Sequence, residues 1–588
     1  MDQVQRNKST LIPVAIFYAI VIAGFAFFGK LDTLSLLIAG ILLFPVFGLV
    51  YLVISYVGPK QSKLYGLEYL TSKLPAVKKP KGHVQFKYKL MWTALVVILY
   101  FVLTNIYIYG LNTSSTIDVF ASFRAIFAGT NGSLMDLGIG PIVTASIVMQ
   151  LFSGAKIFNL DLQNSDDKAV YQGVQKLLII VMIFVEAIPQ AFGYLVPDAN
   201  LVSGLNGYAP GYGEFLAQSI IIGQLFVGTY LVFLFDELVS KYGIGSGISL
   251  FIAAGVSQQL FTGTFNWVPA TATSPLSLTN PPAGTIPKIL YVVSHSPGSY
   301  MISQGMTQLL FAPVNPITAL MGTILIFFIV AYFQSSKIEL PISHERVRGA
   351  RGRYPIQLFY ASNIPVILAT ALLANVAMWT LLFWSSPVLS HIPLIGHNAL
   401  LGAYPTASQL ATYGSAISNT TPTGGLAFYL SSPNGLADWL FPILQPSVYT
   451  NVLFGHSAFD EAMHILAFMG FMIVFSVIFA RFWIETTNMG AGAVAKQIQS
   501  SGMQIPGFRR DPKVMERVLN RYIPAVTVFS GAAVGLLAGG ANLIGTVGQT
   551  SGTGLLLAVG IVIQFYEAMG KEQLMEMHPV IRQFFAGA

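Results

Sequence analysis

The chain has 588 residues, of which 54% are hydrophobic and 9% charged, and its formal net charge is +7 at pH 7. Soluble globular chains carry about 25% charged residues, so this composition excludes a soluble fold and indicates a protein that crosses a bilayer many times. The absence of cysteine rules out disulfide staples and thiolate metal sites but fixes no compartment.

Twelve apolar runs are predicted to span the membrane, near residues 11–28, 34–57, 91–109, 138–152, 177–197, 215–235, 244–262, 316–333, 357–384, 462–482, 522–545 and 553–570. The run at 138–152 is too short for a full crossing and is expected to continue a broken helix from the polar stretch before it. With a cytoplasmic N-terminus, the basic stretches Lys60–Lys89, Lys156–Lys176, Lys241, Lys337–Arg353, Arg481–Arg521 and the tail all fall on the cytoplasmic side. Only Lys30, Arg124 and Lys288 remain outside, and the long loop from about 385 to 458 holds no lysine or arginine. Both termini are therefore expected in the cytoplasm.

The first two runs form a hairpin, followed by a basic linker with Pro59, Pro75 and Pro80. A second long span and the lack of a small-residue cleavage site argue against a cleavable signal peptide. The remaining ten runs divide into two sets of five, and an odd number makes the second set enter from the opposite side, the topology of an inverted repeat. The expected organisation is a hairpin extension and linker over 1–66, a first half over 67–315 and a second half over 316–588. The loops at about 263–315 and 385–458 are rich in Ser, Thr, Pro, Gly and Asn with almost no charge; they fit an acidic exterior or ordinary low-charge loops equally. Asn112, Asn131 and Asn419 head external N-x-[ST] sequons, a pattern frequent by chance.

DELVSKYGIGSGISLFIAAGVSQ, residues 236–258, places three glycines in five residues at the start of an apolar helix. Each costs about 1 kcal/mol against alanine, and is tolerated where backbones pack closely or a segment must flex. This stretch resembles the fifth core span of the SecY family, protein-conducting channels, in its archaeal and eukaryotic form. LGIGPIVTASIVMQL (137–151), ELPI with RGARGRYPIQLFYASNIPVILATALLAN (339–375), WIETT with AKQIQSSGMQIPGFRR and RVLNRYIP (483–524), and SGTGLLLAVGIVIQFYE (551–567) resemble further segments of the same family, in order and at suitable spacing. The likeness covers about residues 68–588; the hairpin is the main departure.

The resemblance implies an all-α polytopic fold with a ten-helix core of two inverted five-helix halves. It implies a pore ring of Ile139, Val143, Ile244, Ile248, Ile367 and Leu557, an apolar gasket that resists ions by dewetting yet fits around a threading chain. The spacing shows that Ile139 and Val143, and Ile244 and Ile248, each share one helix face, but an isoleucine in a membrane helix most often meets lipid or a neighbour. By the same likeness Ala121, Ser122, Phe123, Arg124, Ala125, Ile126 and Phe127 belong to a plug, although an ordinary external loop would read similarly. Glu186, an intramembrane acid, should face polar groups or water; the family places it with Thr144 and Asn375 at a lateral gate, against the plainer reading of a packing residue.

Arg346, Arg348, Arg351 and Arg353, with Arg509, Arg510 and Lys513, form two basic loops. Positive-inside topology explains part of this, but four arginines in eight residues suit ribosomal RNA, and Arg509 is expected to make the strongest contact. No P-loop, H-E-x-x-H or metal-spaced histidine set is present, so no catalysis, cofactor or metal is expected. The likeness implies a cytoplasmic-membrane channel for unfolded polypeptides that releases hydrophobic segments into lipid, driven by chain elongation on the ribosome. Its implied partners are SecE, a small SecG- or Sec-beta-like subunit, the ribosome and signal-sequence-bearing nascent chains. A secondary transporter would need several ionisable groups near the midplane, where essentially Glu186 stands alone. An insertase without a through-pore is the third alternative.

Overall fold

The computed structural model describes residues 63–577, apart from 83, 113–122, 155–159, 161–163, 271–273, 312–313, 345–350, 358–362, 386–389, 391–394, 407, 410–419, 448, 450–452, 488, 501–502, 505–511 and 549. The predicted hairpin and Lys30 lie outside the described residues. Among those described, nine helices are long and apolar enough to cross a membrane, and a shorter apolar helix makes a tenth. In chain order they are span 1 (Phe86–Thr104), span 2 (Gly140–Gly154), span 3 (Ser165–Gly193), span 4 (Gly213–Tyr242), span 5 (Gly247–Phe265), span 6 (Ile317–Ser335), span 7 (Ile364–Ser385), span 8 (Ala458–Thr486), span 9 (Pro512–Ile544) and span 10 (Gly552–Met577). The ten predicted core spans are thus present, and the fold is a multi-pass helical membrane protein.

Span 3 begins well before its predicted apolar run. The Asn164 side chain caps it by accepting from the Asp166 N–H, 3.1 Å away. Its 29 residues would measure about 44 Å, longer than the roughly 30 Å hydrocarbon core, so its polar start projects beyond the apolar layer. Span 8 opens on a reciprocal box: Ser457 Oγ accepts from the Asp460 N–H at 3.2 Å, while Asp460 Oδ2 accepts from the Ser457 N–H at 3.0 Å. Span 7 is apolar on all sides and, with span 10, is the most enclosed; spans 1 and 6 are the least. Span 2 packs against spans 3, 7 and 8, and span 5 against spans 4 and 10.

The linker is fixed to the core. Leu64 and Leu67 are buried with Met149 of span 2 and Val170 and Val174 of span 3. Further along, the Val77 N–H donates to Glu237 Oε2 of span 4 at 2.8 Å, and Lys241 Nζ donates to the Val77 carbonyl. Lys176 Nζ lies 2.5 Å from Glu237 Oε1, which binds span 3 to span 4 at the same point.

One element was not expected. The two predicted basic loops meet in a small antiparallel sheet, β1 (Lys337–His344), β2 (Arg351–Gln357) and β3 (Met503–Gln504), in the order β2-β1-β3. Pro341 pairs with Arg353, and Ser343 with both Arg351 and Gln504. Backbone bonding therefore joins the loop before span 7 to the loop before span 9.

Candidate functional site

A turn over residues 128–139 joins the expected plug to span 2. A short helix, Arg124–Phe127, closes on Ala128 in the left-handed region (φ 52°), and the Phe127 carbonyl accepts from the Ile139 N–H at 2.8 Å. Phe123, Arg124, Ile126 and Phe127 are all buried, and the helix packs against spans 5 and 10. The Ala125 side chain, like Ala121 and Ser122 as a whole, lies outside the described residues.

A buried arginine needs a partner. Arg124 Nη2 lies 3.0 Å from Asp136 Oδ1, with both side chains almost wholly enclosed, and Nη1 donates to the Asp136 carbonyl. Asp136 Oδ1 also accepts from the Gly132 N–H at 2.8 Å, so the pair ties the helix to the turn that leads into span 2. Tyr100 of span 1 adds a further bond, its hydroxyl donating to the Ala128 carbonyl at 3.0 Å while its ring stacks on Phe251 of span 5. Sequence reading missed Asp136 and Tyr100. The signal for Asp136 was available, since a lone basic residue on the wrong side of a positive-inside topology calls for an acid nearby.

The structure brings Thr144, Glu186 and Asn375 together. The Thr144 hydroxyl donates to Glu186 Oε1 at 2.8 Å and accepts from Asn375 Nδ2 at 3.1 Å. Glu186 is 2% exposed. One hydroxyl therefore links spans 2, 3 and 7. A second bond, Gln175 Nε2 to Ser146 Oγ at 2.9 Å, joins spans 2 and 3 and was not predicted.

Ile139, Val143, Ile367 and Leu557 are buried members of one continuous apolar cluster, and Ile248 packs against it. Ile244 is also buried, at 2% exposure, but is not among that cluster's members. Of the basic positions, Arg351 and Arg353 lie on β2 and Lys513 in the first turn of span 9, with side chains outside the described residues; Arg346, Arg348, Arg509 and Arg510 lie outside them altogether. Lys288, another of the three exceptions to the expected positive-inside pattern, is buried in the helix Thr285–His295, where burial pushes its ammonium down to about 8. Among the described residues no group of His, Cys, Asp or Glu is placed to hold a metal ion.

Residues 133–566 match the SecY family and residues 98–132 match the plug domain of Sec61p. The protein translocase subunit SecY of Archaeoglobus fulgidus is 44% identical over 529 residues, covering 89% of this chain and 98% of the relative. That of Methanocaldococcus jannaschii is 37% identical over 516 residues, covering 87% and 97%. Among solved structures, a protein-conducting channel aligns with a TM-score of 0.65 at 36% identity, over 88% of this chain and 99% of the other. Sec61 in a canine ribosome–channel complex from the endoplasmic reticulum aligns at 0.63 with 36% identity, over the same shares.

Proposed function

This chain belongs to the SecY family, and on that premise we propose how its residues make a polypeptide channel work. It is a pore-forming protein translocase subunit. In our reading Ile139, Val143, Ile244, Ile248, Ile367 and Leu557 form the constriction, and the segment Ala121–Phe127 plugs it at rest. Their chemistry suits a deformable seal, because bulky apolar groups exclude ions by dewetting but yield to a passing chain.

The Thr144–Glu186–Asn375 cluster holds a lateral gate between span 2 and span 7. A hydrophobic segment would open it by replacing those few polar contacts with apolar burial, and leave into lipid. The two basic loops, joined through β1, would present Arg346, Arg348, Arg351, Arg353, Arg509, Arg510 and Lys513 to ribosomal RNA. SecE and a small SecG- or Sec-beta-like subunit complete the assembly, in the cytoplasmic membrane with both termini in the cytoplasm. Protein synthesis supplies the driving force, and the chain carries out no catalysis of its own.

The core would comprise two five-span halves, 67–315 and 316–588, preceded by the extension at 1–66. In support, the share of this chain left unmatched by its relatives is about the size of that extension. The single observation that carries the functional reading is the plug segment: a four-residue helix within residues that match a plug domain, packed against spans 5 and 10 and tied by a buried ion pair to the turn before span 2.

The test is reconstitution of the purified translocase in liposomes with ribosomes bearing a secretory nascent chain. The chain should become protected from added protease as it elongates. Uptake of a small solute with no protected polypeptide would instead favour a transporter.

A further inference from the structure

Span 5 starts without a cap of its own. The side chain of Ser246, at its N-cap, accepts no bond from the helix, and its hydroxyl turns to Asp236 Oδ1 at 3.3 Å. The cap comes from span 4: Asp236 Oδ1 accepts from the Ile248 N–H at 2.9 Å. The first N–H groups of a helix lack partners within it, and an acidic acceptor suits both them and the positive end of the helix dipole.

Four residues earlier the same device recurs with another span. The Ile244 N–H donates to Thr93 Oγ1 of span 1 at 3.0 Å, and that hydroxyl donates onward to the Lys89 carbonyl at 2.8 Å, which fixes its rotor. Ile244 lies just before span 5 and Ile248 in its first turn, and the left-handed Gly245 between them means that they do not share the helix face predicted from their spacing. Both are thus held through their own backbone N–H groups, each by a side chain from a different span. The glycines make this possible. Gly245 turns the chain in the left-handed region (φ 79°), and a Cβ on Gly247 would stand 2.5 Å from the Asp236 Cα.

The adjacent acid serves a different end, since Glu237 pairs with Lys176 at 2.5 Å and Lys241 at 3.3 Å. Asp236 alone of the two faces the start of span 5.

We propose that Thr93 and Asp236 are positioning residues of the constriction, fixing the height and rotation of Ile244 and Ile248 so that the ion seal depends on spans 1 and 4. The proposal rests on the pore-ring reading above.

Ion current through the reconstituted translocase in planar bilayers tests it, with each variant's membrane abundance measured alongside. Thr93→Val and Asp236→Ala should raise the current roughly tenfold over the parent, as loss of a bond to a buried N–H shifts a two-state seal. Thr93→Ser and Asp236→Asn, which keep the accepting oxygen, should stay tight, a rescue that a role in mere packing or charge would not produce. Gly247→Ala, which keeps both acceptors but forces spans 4 and 5 apart, should leak and decides the matter if the first pair fails to accumulate. The double variant Ile244→Gly/Ile248→Gly is the control on the ring. If it leaks while Thr93→Val and Asp236→Ala accumulate and remain tight, or, where they do not accumulate, while Gly247→Ala remains tight, the proposal is overturned and the ring stands; if the control is itself tight, the ring reading fails and takes the proposal with it.

Discussion

Asn375 donates its side-chain amide to the Thr144 hydroxyl at 3.1 Å, and this one bond crosses from span 7 to span 2. A neutral hydrogen bond contributes about 0.5–1.5 kcal/mol, so its removal should shift a gate equilibrium by roughly two- to tenfold. Asn375→Ala and Thr144→Val should therefore admit reporters whose signal sequences are too weakly hydrophobic for the parent channel. Thr144→Ser should behave as the parent. Unchanged signal stringency in both deletions would count against a gating role.

Arg124 and Asp136 present a harsher balance, because both are enclosed. Removing one member of a buried pair leaves an uncompensated charge at a cost of about 3–5 kcal/mol. Arg124→Ala should displace the plug segment. With no cysteine in the chain, a single cysteine at Ile126 reports this directly: maleimide labelling should be slow in the parent and fast in Arg124→Ala. Arg124→Met/Asp136→Leu should restore much of the protection, since it removes both charges.

Lys288 makes stability depend on pH. Burial lowers its ammonium from 10.5 to about 8 in the folded chain. Between those values the unfolded chain holds more protons, so stability rises with pH through that window and is lost as pH falls through about 8. The thermal midpoint of the parent should increase from pH 7 to pH 10, while Lys288→Met should show a flatter response and a higher midpoint at pH 7. A parent-minus-variant difference in midpoint that does not change over this range would contradict a buried ammonium at this position.

Ribosome binding should follow counterion release. Each arginine–phosphate contact adds somewhat under one unit to the slope of log affinity against log salt. Arg509→Glu should weaken binding of empty ribosomes and flatten that slope by at least one contact's worth, as should Arg353→Glu on the neighbouring loop. Sensitivity in only one of the two would argue against a shared platform.

The core spans were legible because a bilayer demands long apolar runs. Their ends were not. Asp166, Asp167 and Lys168 break the hydropathy signal of span 3, yet the helix continues through them because it projects into water. In β1, Ile338, Leu340 and Ile342 alternate with polar residues, a strand signature that the short run and Pro341 obscured. Thr144, Glu186 and Asn375 could be grouped from sequence only through a family likeness, as 231 positions separate Thr144 from Asn375. Asp236 could not be assigned as the cap of span 5 by local rules, which look for the acceptor at the N-cap itself, where Ser246 stands.

Passage of a polypeptide through the centre of the molecule is tested most directly by a photo-crosslinker at position 248 and a stalled, secreted nascent chain. An adduct with the chain in transit is expected at 248, and none from Phe328 on span 6, which is 66% exposed. Crosslinks confined to the periphery, with position 248 silent, would contradict a route between the spans.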